Sequence, residues 1–272
     1  MITGIICEDN GSNVTVKHCL NCAASWNNPC SFVFPVVQHI ILDFIRSSKR
    51  NKEIHVTDLT SHCFRNVYLQ KTIDYSVRLA DRIYLIDGTL VHKMIESVVS
   101  DRYRHEIDLL YITKDGIKVM GACDLFTSTG KLTDIKTTRM IGKNFRLKEE
   151  HAQQVNIYRI MINGDPSLPS VTEMEIFYKD MVGPQKCKVC RGKLAYNKDG
   201  ILQCTREKCQ RLNPQAHSGY LRIPVPFYDT EDVKTFIDSK AKELNYYLST
   251  NTLPDIPDDL PEWVCNYCAV QP

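Results

Sequence analysis

Nothing in the 272-residue chain approaches the run of about 20 apolar residues needed to cross a bilayer. The longest such stretch, Phe32 to Ile45, is broken by Pro35, Gln38, His39 and Asp43. The opening MITGIICEDNG lacks a basic region leading into an apolar one, so no secretory signal is read there. The expected compartment is the cytoplasm, with no membrane partner. An excess of one charge sign is missing too: 34 Lys and Arg face 32 Asp and Glu, a net +2. That balance neither requires nor excludes nucleic acid, because a local basic groove can hide in a neutral total. Apolar content of 43% and charged content of 24% are ordinary for a globular protein. The length allows one main domain of ~150–200 residues with smaller additions.

What the chain does have is cysteine, at 7, 19, 22, 30, 63, 123, 187, 190, 204, 209, 265 and 268. Three C-x2-C pairs in a chain without a signal favour metal binding over disulfides. A thiol redox role fits poorly, since no pair sits on the strand-to-helix turn that such enzymes use. Cys7, Cys19, Cys22 and Cys30 can enclose a tetrahedral zinc, with His18 as an alternative fourth ligand. This segment reads as too polar for a core of its own, so metal would fold it; the alternative is a loose arm with incidental thiols. Cys187-x2-Cys190 and Cys204-x4-Cys209, separated by a stretch ending in Asp199-Gly200, form a zinc-ribbon pattern and the strongest metal signal here. Its Lys186, Lys188, Arg191, Lys193, Arg206, Lys208 and Arg211 suit a phosphate backbone or, as readily, a solvated face.

Between these modules the periodicity alternates. Residues 34–50 repeat Val37, Ile40, Ile41, Phe44 and Ile45 at helical spacing, and residues 55–70 read as a second helix capped by Thr57 or Asp58. A third runs from Gly88 through Tyr103, with Val91, Met94, Ile95 and Val98 as its buried stripe and His92 on another face. A hairpin follows over residues 105–126, joined at Lys114-Asp115-Gly116. Helices are expected around Lys148–Ile162 and 230–248, and strands at 171–180 and 219–227 as antiparallel partners.

The chemistry concentrates in Gly121–Lys136, GACDLFTSTGKLTDIK. Two strands flank a Thr-Ser-Thr-Gly turn; Asp124 lies on the first, and Asp134 and Lys136 share one face of the second. Alternation sends Cys123 the opposite way, toward the core. Two carboxylates and a lysine at a hairpin edge can hold a divalent ion and orient a water, although an ordinary charged hairpin has the same composition. The order of motifs around it is more specific. Thr57, Leu59, Cys63, Arg65 and Tyr68 give S/T-x-L-x3-C-x-R-x2-Y, followed by G-x3-H (Gly88, His92), G-x2-D (Gly121, Asp124), D-x-K (Asp134, Lys136) and Q-x3-Y (Gln154, Tyr158). In this order the motifs resemble the RecB-type branch of the PD-(D/E)xK nuclease superfamily, and most of all the CRISPR-associated RecB-like exonucleases, over roughly residues 55–182 and 219–268.

The resemblance implies an α/β fold with a restriction-endonuclease-like core, a central mixed sheet flanked by helices, decorated by cysteine-rich zinc modules. The domains expected are an N-terminal four-cysteine metal-binding segment at 1–32, a nuclease core at 33–182 and 219–272, and a ribbon inserted at 183–218. It further implies that His92, Asp124, Asp134 and the Ile135 carbonyl hold Mn2+ or Mg2+, ions suited by oxygen ligands, the imidazole leaning toward manganese. Lys136 would position the attacking water or stabilise the transition state, and Gln154 and Tyr158 would orient the strand or Lys136. In such nucleases one early and three late cysteines hold a [4Fe–4S] cluster. Here Cys63, Cys265 and Cys268 match and the fourth position is missing, so a cluster completed by Cys123 or Cys30 and a zinc staple, for instance with His62, both stay open. The implied activity is metal-dependent DNA hydrolysis with an exonucleolytic bias, on single strands or duplex ends. Trimming DNA for CRISPR spacer acquisition beside integrase proteins is one implied role, and recombination in a virus or mobile element is another. A zinc-dependent nucleic-acid-binding or assembly module with a vestigial core is the non-enzymatic alternative.

Overall fold

The computed structural model describes residues 2–7, 9–25, 37–38, 41–42, 53–79, 88–94, 97, 101–138, 141, 145–180, 187, 190, 194–196, 202–209 and 220–260. They form a mixed α/β structure whose main sheet is flanked by helices. Its centre is the long hairpin of β5 (Tyr103–Ile112) and β6 (Lys118–Thr127), antiparallel along its whole length. The connection at 114–116 is the expected one. Gly116 takes φ 78°, the left-handed conformation glycine adopts without strain, and Thr113 and Ile117 close the turn.

The strand β7 (Lys131–Thr138) returns antiparallel to β6, and helix α4 (Glu149–Gly164) carries the chain across to β8 (Glu173–Asp180), parallel to β7. β11 (Tyr220–Pro224) pairs antiparallel with β8, as alternation predicts, and the cysteine segment 187–209 lies between these two partners. On the other flank β3 (Ile54–His55) pairs parallel with β6 at Val119 and Met120. Helix α5 (Thr230–Thr250) starts on an Asp229 cap that accepts from the Glu231 and Asp232 amides, and it ends at left-handed Asn251. Its Val233, Ile237, Ala241 and Leu244 stripe is buried in the main core. Burying Val233, Ile237 and Leu244 contributes about 1.5–3 kcal/mol each. α4 is buried on almost every side from Gln154 to Ile162, and most of its polar side chains there find partners. Asn156 donates to the Ala152 and Pro226 carbonyls and accepts from the Tyr228 amide, which ties the approach to α5 onto α4.

Three expectations change. The helix read at 55–70 is broken into α2 (Val56–Leu59) and α3 (Phe64–Thr72). Ser61 Oγ accepts from the Cys63 amide at 3.3 Å, the local side-chain bond that competes with a continuing helix, and the first cap is the Asp58 carboxylate accepting from the His55 amide. The helix read through Tyr103 ends earlier, since the described helical residues there are 88–94 and Tyr103 opens β5. Met94, assigned to its buried stripe, is 63% exposed. His92 faces inward instead, and a residue two places on lies about 200° around the helix.

The third concerns the N-terminal cysteine segment. β1 (Ile2–Ile6) pairs with β2 (Asn13–Thr15) and, in parallel, with β4 (Tyr75–Arg78), beside α1 (Val16–Ala24). Ile5, Ala23, Val37, Ile41, Val77 and Leu79 form a core there, so the segment borrows apolar partners from later in the chain. Residues 39–40 and 43–50 of the first predicted helix lie outside the described residues; 37–38 and 41–42 are helical. Among the described residues no helix is long and apolar enough to cross a membrane.

Candidate active and metal centres

Asp124 stands where the sheet opens. β5 takes one edge of β6 throughout, so β7 and β3 share the other, β7 at Leu125 and Phe126 and β3 at Val119 and Met120. Between them residues 121–124 have no ladder on that side among the described residues. Continuing the Leu125↔Thr133 register by one step sets Asp124 opposite Asp134. Main-chain pairing has ended at that point, and Asp124 Oδ2 accepts from the Ile135 amide at 2.6 Å in its place. The carboxylate thus supplies the acceptor that the parted strands no longer provide.

Two further ligand-bearing side chains converge beside it. His92, on the helical residues 88–94, holds Nδ1 3.3 Å from Asp124 Oδ1 and 3.2 Å from Glu106 Oε1. Those two hydrogen bonds, to Asp124 first and Glu106 second, raise the imidazole to about 10. One ligand atom from each of His92, Glu106 and Asp124 lies within 4.8 Å of the others, a mixed nitrogen and oxygen set suited to a divalent ion. The helical stretch begins close to β7, where a Cβ on Gly88 would come 3.3 Å from Thr137 Oγ1.

Asp134 and Lys136 sit on the same face of β7, as alternation requires. Asp134 is 1% exposed, its Oδ2 has no hydrogen bond of good geometry, and the Lys136 ammonium is 2.9 Å from it. Burial holds the Asp134 carboxyl above the usual carboxylate range; Lys136 opposes this and the Asp124 charge adds to it. A buried carboxylate balanced by one ammonium, next to the His92, Glu106 and Asp124 donors, fits a cation-binding centre.

Gln154 and Tyr158, one turn apart on α4, pair with each other: Gln154 Nε2 donates to the Tyr158 hydroxyl at 2.7 Å. The Tyr158 ring lies against Gly121, and burial together with the Asp134 charge raises its hydroxyl. His151 is a residue sequence reasoning missed. It shares the Gln154/Tyr158 face at i, i+3 and i+7, which was the signal available. Its Nδ1 is 2.9 Å from the Tyr178 hydroxyl, and burial, then Lys136 and Lys148, lower it to about 3, so the ring is neutral. Glu106 is the other omission, also recoverable: a hairpin turning about Asp115 places residue 106 across from 124.

The second centre is the four-thiol group Cys187, Cys190, Cys204 and Cys209, carried by the β9 (Leu194–Tyr196) and β10 (Leu202–Cys204) hairpin. Its sulfurs lie within 4.8 Å of one another, with Cys190 to Cys204 at 3.4 Å and Cys187 to Cys209 at 3.9 Å. A tetrahedral zinc with bonds of about 2.3 Å needs sulfur separations of roughly 3.8 Å, whereas a disulfide needs about 2.05 Å. The set can hold a metal ion and is compatible with zinc. The Arg206 carbonyl accepts from the Cys209 amide at 2.8 Å, and the Arg206 guanidinium donates to the Cys190 carbonyl at 2.7 Å, which joins the two knuckles.

The other cysteines are placed differently. Cys19 and Cys22 fall on α1 and not in a knuckle turn, and among the described residues Cys7, Cys19 and Cys22 form no metal-sized group. Cys30, Cys265 and Cys268 lie outside the described residues. Cys63 is buried at the start of α3, and the neighbouring His62 is 3.8 Å from Glu150. Cys123 belongs to the main core, and burial pushes its thiol up to about 12.

No family model matches the chain, and no curated protein matches it. A solved structure described as the crystal structure of SSO0001 is 18% identical, covers 79% of this chain and 82% of its own, and superposes with a TM-score of 0.43. Likeness at that level carries no argument about the site.

Proposed function

We propose that the chain is a metal-dependent DNA nuclease with a PD-(D/E)xK core, an exonuclease acting on single strands or duplex ends. The observation that carries the reading is the parting of β6 and β7. Asp124 and Asp134 face each other across it, Lys136 contacts Asp134, and His92 contacts Asp124. The sequence order of five motifs supports it independently. His92 and Asp124, with Asp134 beside them, are the residues that would hold Mn2+ or Mg2+, which when bound makes a water more acidic and neutralises phosphate charge. The residues do the rest. Lys136, on the Asp134 face, offers an ammonium to the reacting phosphate. The neutral His151 and the Gln154–Tyr158 pair present polar groups from α4 toward the same region, beside the buried Tyr158 and Tyr178 rings.

Within this reading the ribbon, with Arg206 and Lys208 exposed, grips the phosphate backbone. Cys63 with Cys265 and Cys268 would staple the chain through a [4Fe–4S] cluster or zinc, and trimming DNA before integration is the cellular role. The four-thiol group favours one second reading, a zinc-dependent nucleic-acid-binding module with a vestigial core. Labelled single-stranded DNA separates the two. Degradation requiring Mn2+ or Mg2+ and lost in Asp134→Asn is expected; equal cleavage by that variant, or metal-independent binding without cleavage, refutes the nuclease.

A further inference from the structure

Glu106 breaks two local rules at once. It sits inside β5 with φ 45°, a left-handed conformation that non-glycine residues seldom adopt and that a strand does not otherwise contain. The pairing runs His105↔Leu125 and Ile107↔Cys123 around it, so Glu106 lies directly opposite Asp124. Two like charges facing each other across a strand pair repel. One imidazole nitrogen serves both carboxylates, at 3.2 and 3.3 Å. Strain and repulsion concentrated on one residue persist where the surroundings hold it for a purpose. Beside it Asp134, 1% exposed, has its Oδ2 outside hydrogen-bond geometry though 2.9 Å from the Lys136 ammonium, and it feels the charges of both Asp124 and His92.

We infer that Glu106 is a ligand of the divalent cation this centre takes, the third protein donor beside His92 and Asp124, turned inward by its left-handed backbone. The inference rests on the metal-dependent reading above and adds a donor that the sequence motifs do not contain. Glu106 completes the close group with His92 and Asp124, and Asp134, paired with Lys136, stands beside that group. A set of one imidazole and two carboxylates selects Mn2+ over Ca2+ through its nitrogen.

The test is Mn2+ binding by calorimetry, with free Mn2+ followed by its paramagnetic resonance signal, on the full chain and on Glu106→Gln and Glu106→Gly. Gln keeps a hydrogen-bond acceptor for His92 but loses the charge, so a residue that only positions His92 would leave affinity unchanged. Both variants are expected to bind Mn2+ about 10- to 100-fold more weakly, the range seen when groups supporting a metal are removed. Glu106→Gly is expected to melt above the wild type in Mn2+-free buffer, because glycine accepts the left-handed φ. Wild-type Mn2+ affinity in Glu106→Gln overturns the inference, and so does weakened affinity in Glu106→Gly accompanied by a lower melting temperature. DNA cleavage with the same Mn2+ dependence in Glu106→Gln sinks the ligand role and leaves the nuclease standing. Glu106-dependent Mn2+ binding in a protein that cleaves no DNA does the reverse.

Discussion

Gly121 is expected to be irreplaceable for a steric reason that can be inverted by a second change. A Cβ at this position would stand 2.8 Å from Tyr158 Cε1 and 3.0 Å from Val56 Cγ2, with Tyr158 Cδ1 at 3.4 Å. The ring cannot swing away freely, being buried with its hydroxyl held by Gln154 at 2.7 Å. Overpacking of this kind costs about 1–3 kcal/mol. Against it, replacing glycine by alanine in an ordinary backbone conformation stabilises by about 0.4–1 kcal/mol through the unfolded chain. Gly121→Ala should therefore lose roughly 0.5–2 kcal/mol net, the packing term being the larger. In a Tyr158→Leu background the ring is gone and only the Val56 contact persists. There the same substitution should become neutral or slightly stabilising, a coupling of about 1–2 kcal/mol in a double-mutant cycle. Urea melts of the four proteins, compared at equal slope, measure it. If Gly121→Ala costs as much in the Tyr158→Leu background as in the wild type, the contact does not explain the glycine.

In Mn2+-free buffer His92 should stabilise the fold in a pH-dependent way. Its folded value of about 10 lies above the usual 6.5, so its contribution is complete below pH 6.5 and is lost as pH rises toward 10. The stability gap between wild type and His92→Gln, read by urea melts, should close over that window; a gap that widens with pH contradicts the ion pairing. Glu175 behaves oppositely. Burial alone would raise its carboxyl, but Arg222, Lys131 and Thr133 outweigh burial and hold it low. Glu175→Gln should cost about 1.5–3 kcal/mol at pH 7, typical of hydrogen bonds to a charged group. That cost should shrink as pH falls below the ordinary glutamate range. Cys204→Ser should lose the ribbon metal in elemental analysis. Amide exchange should then quicken in β9 and β10 while α4 and α5 keep their protection, and a global loss would refute a self-contained metal module.

Much of the architecture was legible because it is written in local patterns. Alternation located the β5–β6 and β6–β7 hairpins and the β8–β11 partnership, and the 3.6-residue period located α4 and α5. The C-x2-C and C-x4-C spacings were enough to bring four thiols together. Side-chain period also set Asp134 and Lys136 on one face and sent Cys123 into the core, since strand geometry leaves no other choice.

Non-local events were not legible. The pairing of β1 with β4 gave the N-terminal segment a core that its own composition denies it, because the partners lie far along the chain. That β3 and β7 share one edge of β6 and leave a gap at Asp124 follows from how the sheet closes, and no motif encodes it. Glu106 reads in sequence as one more exposed strand residue. Only the fold adds its left-handed backbone and its contact with His92. The sequence by itself determined which residue types could do chemistry and which face each would take. The tertiary structure decided which charges meet, because burial and the parting of two strands set the distances on which electrostatics depends.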